Sequence, residues 1–240
     1  VSDVDGKTTP DLDLGKFFTD VDGDPVTVTS VTGLPPGLTF DPSTGLVTGK
    51  LTPDASQGGP NNDGVYTVTV EVSDGKGGTT TETFTYTVTN PPPVAADDSR
   101  TTAEDTPVSG NVITGNTGGD AADSDPDGDA LTVTEFVVGG QTYTFDANTP
   151  SHTVTLPEGT LLFKDDGSYT FTPAKDWNGT VPTVTYTISD GEGGSDTATL
   201  TIVVTPVNDD PTLTPGTPGL PPVSDVDGKT TPDLDLGKFF

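Results

Sequence analysis

Residues Tyr66–Thr89 read YTVTVEVSDGKGGTTTETFTYTVT. Two runs that alternate apolar with polar residues flank a Gly-rich SDGKGG turn. A period of two places every second side chain on one face of a strand. The glycines let the chain reverse. The stretch is therefore a β-hairpin with one buried face. A second copy lies at Pro182–Thr205, PTVTYTISDGEGGSDTATLTIVVT. Val68, Val70, Val72, Phe84, Tyr86 and Val88 of the first fall on Val184, Tyr186, Ile188, Leu200, Ile202 and Val204 of the second. Upstream, DVDGDPVTVT from Asp20 parallels DPDGDALTVT from Asp125. Two related domains, each of about a hundred residues, make one period.

A longer repeat encloses this pair. VSDVDGKTTPDLDLGKFF at Val1–Phe18 returns letter for letter at Val223–Phe240, 222 residues on. The chain reads as a window on a tandem array, one period plus the start of the next. Two Pro-rich segments mark the joints, TNPPPVAADD (Thr89–Asp98) and TPVNDDPTLTPGTPGLPP (Thr205–Pro222). Proline fixes φ and removes a donor, which suits short, stiff connectors. The expected domains are 1–90, 91–207 and an incomplete repeat over 208–240. By analogy with the second joint, PTLTP should be the first strand of each leading domain. The copy that starts at Val1 lacks it, so the first domain is expected to miss an edge strand. The tail from Pro211 onward is expected to be either disordered or strand-paired with a neighbouring molecule through 208–240.

Composition agrees with an all-β chain. Only 29% of residues are hydrophobic, but they sit in alternating runs that disordered tails lack. Gly 30 and Pro 23 punctuate those runs as short strands and turns require. The formal charge of −28 repels phosphate backbones and anionic lipid, which argues against nucleic acid and direct membrane contact. Cys 0 excludes disulfides, thiolate metal sites and thiol catalysis. Small domains without disulfides need another source of stability, and a bound metal is one. No signal peptide or long apolar span is evident.

The predicted architecture is a tandem of immunoglobulin-like antiparallel β-sandwiches, each of about seven strands. In that strand order, the loop after the second strand and the loop between the last two share one pole, where the preceding domain attaches. Both Asp-rich turns fall in those loops. The second domain supplies Asp123, Asp125, Asp127, Asp129 and Asp190, and the linker adds Asn90, Asp97 and Asp98. The first domain has Asp20, Asp22, Asp24 and Asp74 in the matching places. Converging carboxylates repel unless they are protonated or bridged by a cation. An all-oxygen ligand set with flexible spacing favours Ca²⁺ over Mg²⁺ or Zn²⁺. A single Asp-Gly turn needs no metal, because both residues tolerate left-handed backbone; the polar cluster together with the linker acids is what points to Ca²⁺. DSDPDGD also imitates the start of an EF-hand loop, but Thr134 stands at position twelve and β pattern follows, so that motif is rejected.

These residues carry a family resemblance. AEDTPVSGNV, DPDGDALTV, YTFTPAKDWNGT and TYTISDGEGGSDTATLTIVVTPVNDDP resemble the cadherin-like tandem repeats of large bacterial RTX-type adhesins. FFTDVDGDPVTVT, GLPPGLTFDPSTGLVTGKL and YTVTVEVSDGKGG resemble the Ig-like or dystroglycan-type cadherin-like module. PVNDDP is similar to the cadherin interdomain linker, which implies Asn208, Asp209 and Asp210 as ligands at the next joint. The same resemblance implies Glu104 as an acidic ligand. Ala95-Ala96 departs from the Asn-Asp-Asn pattern of such linkers. The resemblance implies a secreted protein of the bacterial cell surface.

Catalysis finds no support in the sequence. His152, in PSHTVTLPEG, is the single histidine and has no nucleophile partnered to it by pattern. With 37 acids, a chance carboxylate pair carries no information about glycosidase chemistry. Trp177 reads as a core or corner aromatic. Two functions follow from the sequence. One is a calcium-stiffened extender whose partners are neighbouring repeats of the same chain, holding a distal ligand-binding domain away from the cell. The other is a carbohydrate- or protein-binding module, with the Gly/Asn-rich insertion Leu51–Val65 as its recognition loop.

Overall fold

The computed structural model describes residues 1–209. The expectations for Asp210 and the rest of the tail lie outside the described residues. Each hydrophobic cluster belongs to one module: Leu14, Val28, Val47, Val68, Tyr86 and their neighbours form the first core. Phe136, Phe163, Phe171, Tyr186 and Leu200 centre the second.

The first module runs β1 (Ser2–Val4), β2 (Thr8–Asp13), β3 (Thr27–Thr32), β4 (Leu38–Asp41), β5 (Leu46–Lys50), β6 (Val65–Ser73) and β7 (Thr79–Thr89). One sheet has the order β1-β7-β6-β3 and the other β2-β5-β4. The second module runs β8 (Asp98–Ala103), β9 (Val108–Asn111), β10 (Thr132–Val138), β11 (Gln141–Thr144), β12 (Ser151–Leu156), β13 (Gly159–Lys164), β14 (Ser168–Pro173), β15 (Gly179–Thr180), β16 (Val184–Ser189) and β17 (Ser195–Thr205). Its sheets are β11-β10-β16-β17-β15, with β8 also on β17, and β12-β13-β14-β9. Among the described residues the fold is the expected sandwich, all-β apart from two short 3₁₀ turns.

The alternation of β6 is realised residue by residue. Tyr66, Val68, Val70 and Val72 are buried between polar neighbours. Tyr66 pairs Tyr86 and Val68 pairs Phe84, as Tyr186 pairs Ala198 and Val184 pairs Leu200 in the second hairpin. Both modules also bulge at one matching residue. The ladder shifts between Val28 and Ser30 in β3 and between Val133 and Glu135 in β10. Thr29 and Thr134, on the bulges, each donate a hydroxyl to the facing strand, to Glu71 and Thr187. A bulge adds twist and re-aims the strand end, here next to the Asp loop that precedes it.

One expectation needs correction. The edge beside β7, expected to be open, is filled by β1, which pairs in parallel (Ser2 with Thr87 through Val4 with Thr89). β8 takes the same place on β17. The first strand of each module is therefore parallel to its last, and the remaining pairings are antiparallel. Residues Ser2–Val4 thus line the last three residues of β7.

Candidate metal centre at the middle joint

The upper pole of the second module is built from two turns that organise their own backbones. Asp125 Oδ1 accepts the N–H groups of Asp127 (3.0 Å), Gly128 (3.1 Å) and Asp129 (3.3 Å). Asp190 Oδ1 accepts those of Glu192 (2.8 Å) and Gly194 (3.0 Å). Short Asp side chains hold such loops because they bond to backbone two to four residues on. The linker lies across this pole. Val94 and Ser124 exchange backbone bonds, Ala95 donates to Asp196 (2.9 Å) and Ala96 to Asp123 (2.8 Å). Asn90 donates to Asp190 Oδ2 at 2.8 Å. Gly194 packs so close to Pro92 and Pro93 that a Cβ there would sit 2.9 Å from proline.

The base of the first module closes over the same pole. Gly6, with φ +63°, sits where a Cβ would lie 2.6 Å from that of Asp127. The 3₁₀ turn Ala55–Gln57 presents Ser56, whose hydroxyl lies 3.5 Å from Glu192, and whose N–H bonds both oxygens of buried Asp5 at 2.9 Å. Thus Leu51–Val65, read from sequence as a recognition loop, turns its Asp54–Ser56 end toward the joint.

Among the described residues, two groups of carboxylates converge, and both lie here. Asp125, Asp127 and Asp129 have oxygens within 4.8 Å of one another, as do Asp54, Asp129 and Glu192. Both oxygens of Asp127, Oδ2 of Asp125, Oδ2 of Asp129 and Oδ1 of Asn90 are buried with no hydrogen-bond partner. Leaving a buried acceptor unmatched costs the desolvation of that group. The pKa shifts reflect the same strain. Burial, then the Asp125 carboxylate and the Asp129 charge, push Asp127 up to about 7. Burial and the charges of Asp125, Asp54, Asp190 and Asp5 raise Asp129, and burial with Asp129, Asp54 and Asp5 raises Glu192. Adjacent carboxylates without a donor between them need a shared proton or a cation. The donor set is all oxygen, at variable spacing, and fits a hard divalent ion of the calcium type.

The other sequence-predicted acids are placed elsewhere. Asp98 and Asp123 turn inward, where the Tyr186 hydroxyl lies 2.9 Å from Asp98 Oδ2 and 3.4 Å from Asp123 Oδ1. Burial lifts Asp98 to about 7 and Asp123 to about 6. Asp97 Oδ1 accepts the N–H and hydroxyl of Thr199 (2.9 and 2.8 Å). At the base of the second module, buried Glu104 accepts from Val207 N–H and from Asn178 Nδ2 (3.5 Å), while Asn208 and Asp209 are exposed. The first module's upper pole repeats the turns: Asp20 Oδ1 accepts from Asp22 and Asp24, and Asp74 Oδ1 from Lys76 and Gly78. There Lys76 Nζ meets Asp24 Oδ1 at 2.6 Å. Sequence reasoning missed Asp5, Asp54 and Glu192. Asp5 had a signal: it follows β1 as Glu104 follows β8, and their N–H groups bond the equivalent Thr89 and Thr205 carbonyls at 3.1 and 2.9 Å.

Residues 90–203 match the model of the bacterial Ig domain family, and residues 2–89 match that of the putative Ig domain family. No curated protein matches the chain. Similar solved structures include Sidekick-1 immunoglobulin domains 1–5 (16% identity, TM-score 0.33, covering 86% of this chain and 38% of that one). They also include protocadherin gamma B2 extracellular cadherin domains 1–5 (16%, 0.35, 80% and 35%). A third is an endo-fucoidan hydrolase of glycoside hydrolase family 107 (19%, 0.28, 85% and 32%). The chain spans well under two thirds of the length of each of these structures. Among the described residues, no helix is long and apolar enough to cross a membrane. The chain is built from two immunoglobulin-like modules in tandem, the first similar to the putative Ig domain family and the second to the bacterial Ig domain family, the type of module that extracellular and surface proteins use.

Proposed function

We propose that the chain is a non-catalytic extender segment of a bacterial cell-surface adhesin of the RTX type, stiffened by Ca²⁺ at the joint between its modules. The observation that carries this reading is the set of buried, unpartnered oxygens of Asp125, Asp127, Asp129 and Asn90, closed over by Asp54 of the preceding module. Asp54, Asp125, Asp127, Asp129, Asp190, Glu192 and Asn90 would hold the ion, and Asp5 adds charge behind them. The ion would supply charge compensation that links the two modules and the connector.

The mechanism is entropic. With free joints, reach grows as the square root of the number of modules. Residues from module, linker and module that share one ion remove that freedom, and reach then grows linearly. Extracellular modules hold Ca²⁺ at roughly 10⁻⁴ to 10⁻³ M. At tenfold excess such a site stabilises the joint by about 1.4 kcal/mol. The placement of Leu51–Val65 at the joint favours this reading over a recognition module.

Small-angle scattering and thermal melting, each with calcium and with chelator, test it. Calcium is expected to raise the melting temperature of the chain and fix one inter-module distance. Identical scattering curves and melting points in the two conditions would sink the proposal.

A further inference from the structure

The two SDGxGG turns superimpose in their bonding yet differ at the fourth residue, Lys76 in one and Glu192 in the other. Asp74 Oδ1 accepts from residue 76 at 2.7 Å and residue 78 at 2.9 Å; Asp190 Oδ1 accepts from residue 192 at 2.8 Å and residue 194 at 3.0 Å. The glycines match too, with φ of 72° and 107° at Gly75 and Gly77 against 83° and 103° at Gly191 and Gly193. The facing Asp loops bond alike, from Asp22 and Asp24 to Asp20 and from Asp127 and Asp129 to Asp125. The variable side chain therefore reaches the same neighbour in each module, the last Asp of DxDGD. Lys76 Nζ lies 2.6 Å from Asp24, whereas a Glu192 oxygen lies within 4.8 Å of Asp129 and Asp54. One contact is attractive and the other repulsive.

We propose that this single turn position decides how a pole is neutralised. Lys76 is a built-in cation that makes the first module's pole independent of metal, and Glu192 makes the equivalent pole dependent on a free divalent ion. The ion half of this inference rests on the calcium reading of the middle joint. The acceptors around Glu192 support it: Asp125, Asp127 and Asp129 keep buried oxygens without donors. Among the described residues, no lysine or arginine forms a salt bridge with Asp5, Asp54, Asp125, Asp127, Asp129, Asp190 or Glu192.

The test compares the full chain with Glu192→Gln and Glu192→Lys, by calorimetric calcium titration and by melting in chelator. Calcium affinity is expected to fall about tenfold for Gln and about a hundredfold for Lys, as ligand charge is removed and then reversed. In chelator the order inverts, with Lys melting highest, then Gln, then the wild type, because the ammonium takes over the role that Lys76 plays at the other pole. This inversion separates the proposal from a merely structural role for Glu192, which would lower the melting point in both conditions. Wild-type-like calcium affinity in the Lys variant would overturn it. Equal melting of all three in chelator would overturn the charge assignment even where calcium binds. A wild-type chain that takes up no calcium overturns the junction reading and the ion half of this inference with it.

Discussion

The upper poles of the two modules share turns, bulge and hydrogen bonds, and they differ in the side chain that meets the last Asp of the loop, Lys76 in the first and Glu192 in the second. At the first, Asp22 is exposed and Asp24 is held by Lys76. At the second, Gly6 and Ser56 of the preceding module close in, and Asp125 Oδ2, both oxygens of Asp127 and Asp129 Oδ2 are buried without a donor. The same local turns therefore hold an ion pair in one module and a cluster of unpartnered carboxylates in the other.

The sharpest way to break that comparison is Asp127→Asn against Asp22→Asn. At the middle joint the change is expected to abolish most of the calcium-induced rise in melting temperature while raising the melting point in chelator, because a strained charge is gone. The matching change at Asp22 should stay within about 0.5 kcal/mol in either condition, as an exposed substitution does. A similar calcium response from both variants, read by differential scanning calorimetry, would refute the role of burial.

Gly6→Ala comes next. The left-handed backbone there costs a non-glycine residue roughly 1–2 kcal/mol, and the new methyl would collide with Asp127. Expected are a lower melting point for the first module and weaker calcium binding by the second, a coupling between modules that calorimetry can resolve. Unchanged calcium affinity would show that the close approach at Gly6 does not shape the site.

A smaller effect concerns pH. Asp98 and Asp123 have folded pKa values of about 7 and about 6, raised above the unfolded value of 3.8 mainly by burial. A carboxylate raised in this way binds more protons folded than unfolded, so its contribution is fully present below the unfolded value and is lost as pH rises through about 6 to about 7. In chelator, the second module should melt higher at pH 5 than at pH 7.5. The reverse order would place the pair in a different protonation state. Smallest of all, Lys76→Ala removes a partly solvated ion pair worth about 0.2–1 kcal/mol, and should leave calcium binding at the middle joint unchanged in the same titration.

The fold was legible because burial in a hairpin leaves a period-two trace: Val68, Val70, Val72 and Tyr86 are core in sequence pattern and in structure alike. The turns Asp125–Asp129 and Asp190–Gly194 were legible for a similar reason, since Asx bonding is local. Asp54 was not. It lies in an insertion without a counterpart in the second module, and its partners Asp129 and Glu192 are far off in sequence. Glu192 carries no sequence signal of its own, because a solvated Lys and a crowded Glu look equally unremarkable within SDGxGG. The edge strand was misplaced because three residues, Ser2–Val4, are too few to show a period.

The parallel pairing of first and last strands has a mechanical consequence. Both strands of each pair run from the upper pole toward the base, so tension along a string of modules slides them past each other. Their bonds are loaded together in shear instead of opening one at a time. Six residue pairs hold β8 against β17. A pull on the two ends of the second module therefore meets all six pairs at once, and its first and last strands resist as one unit.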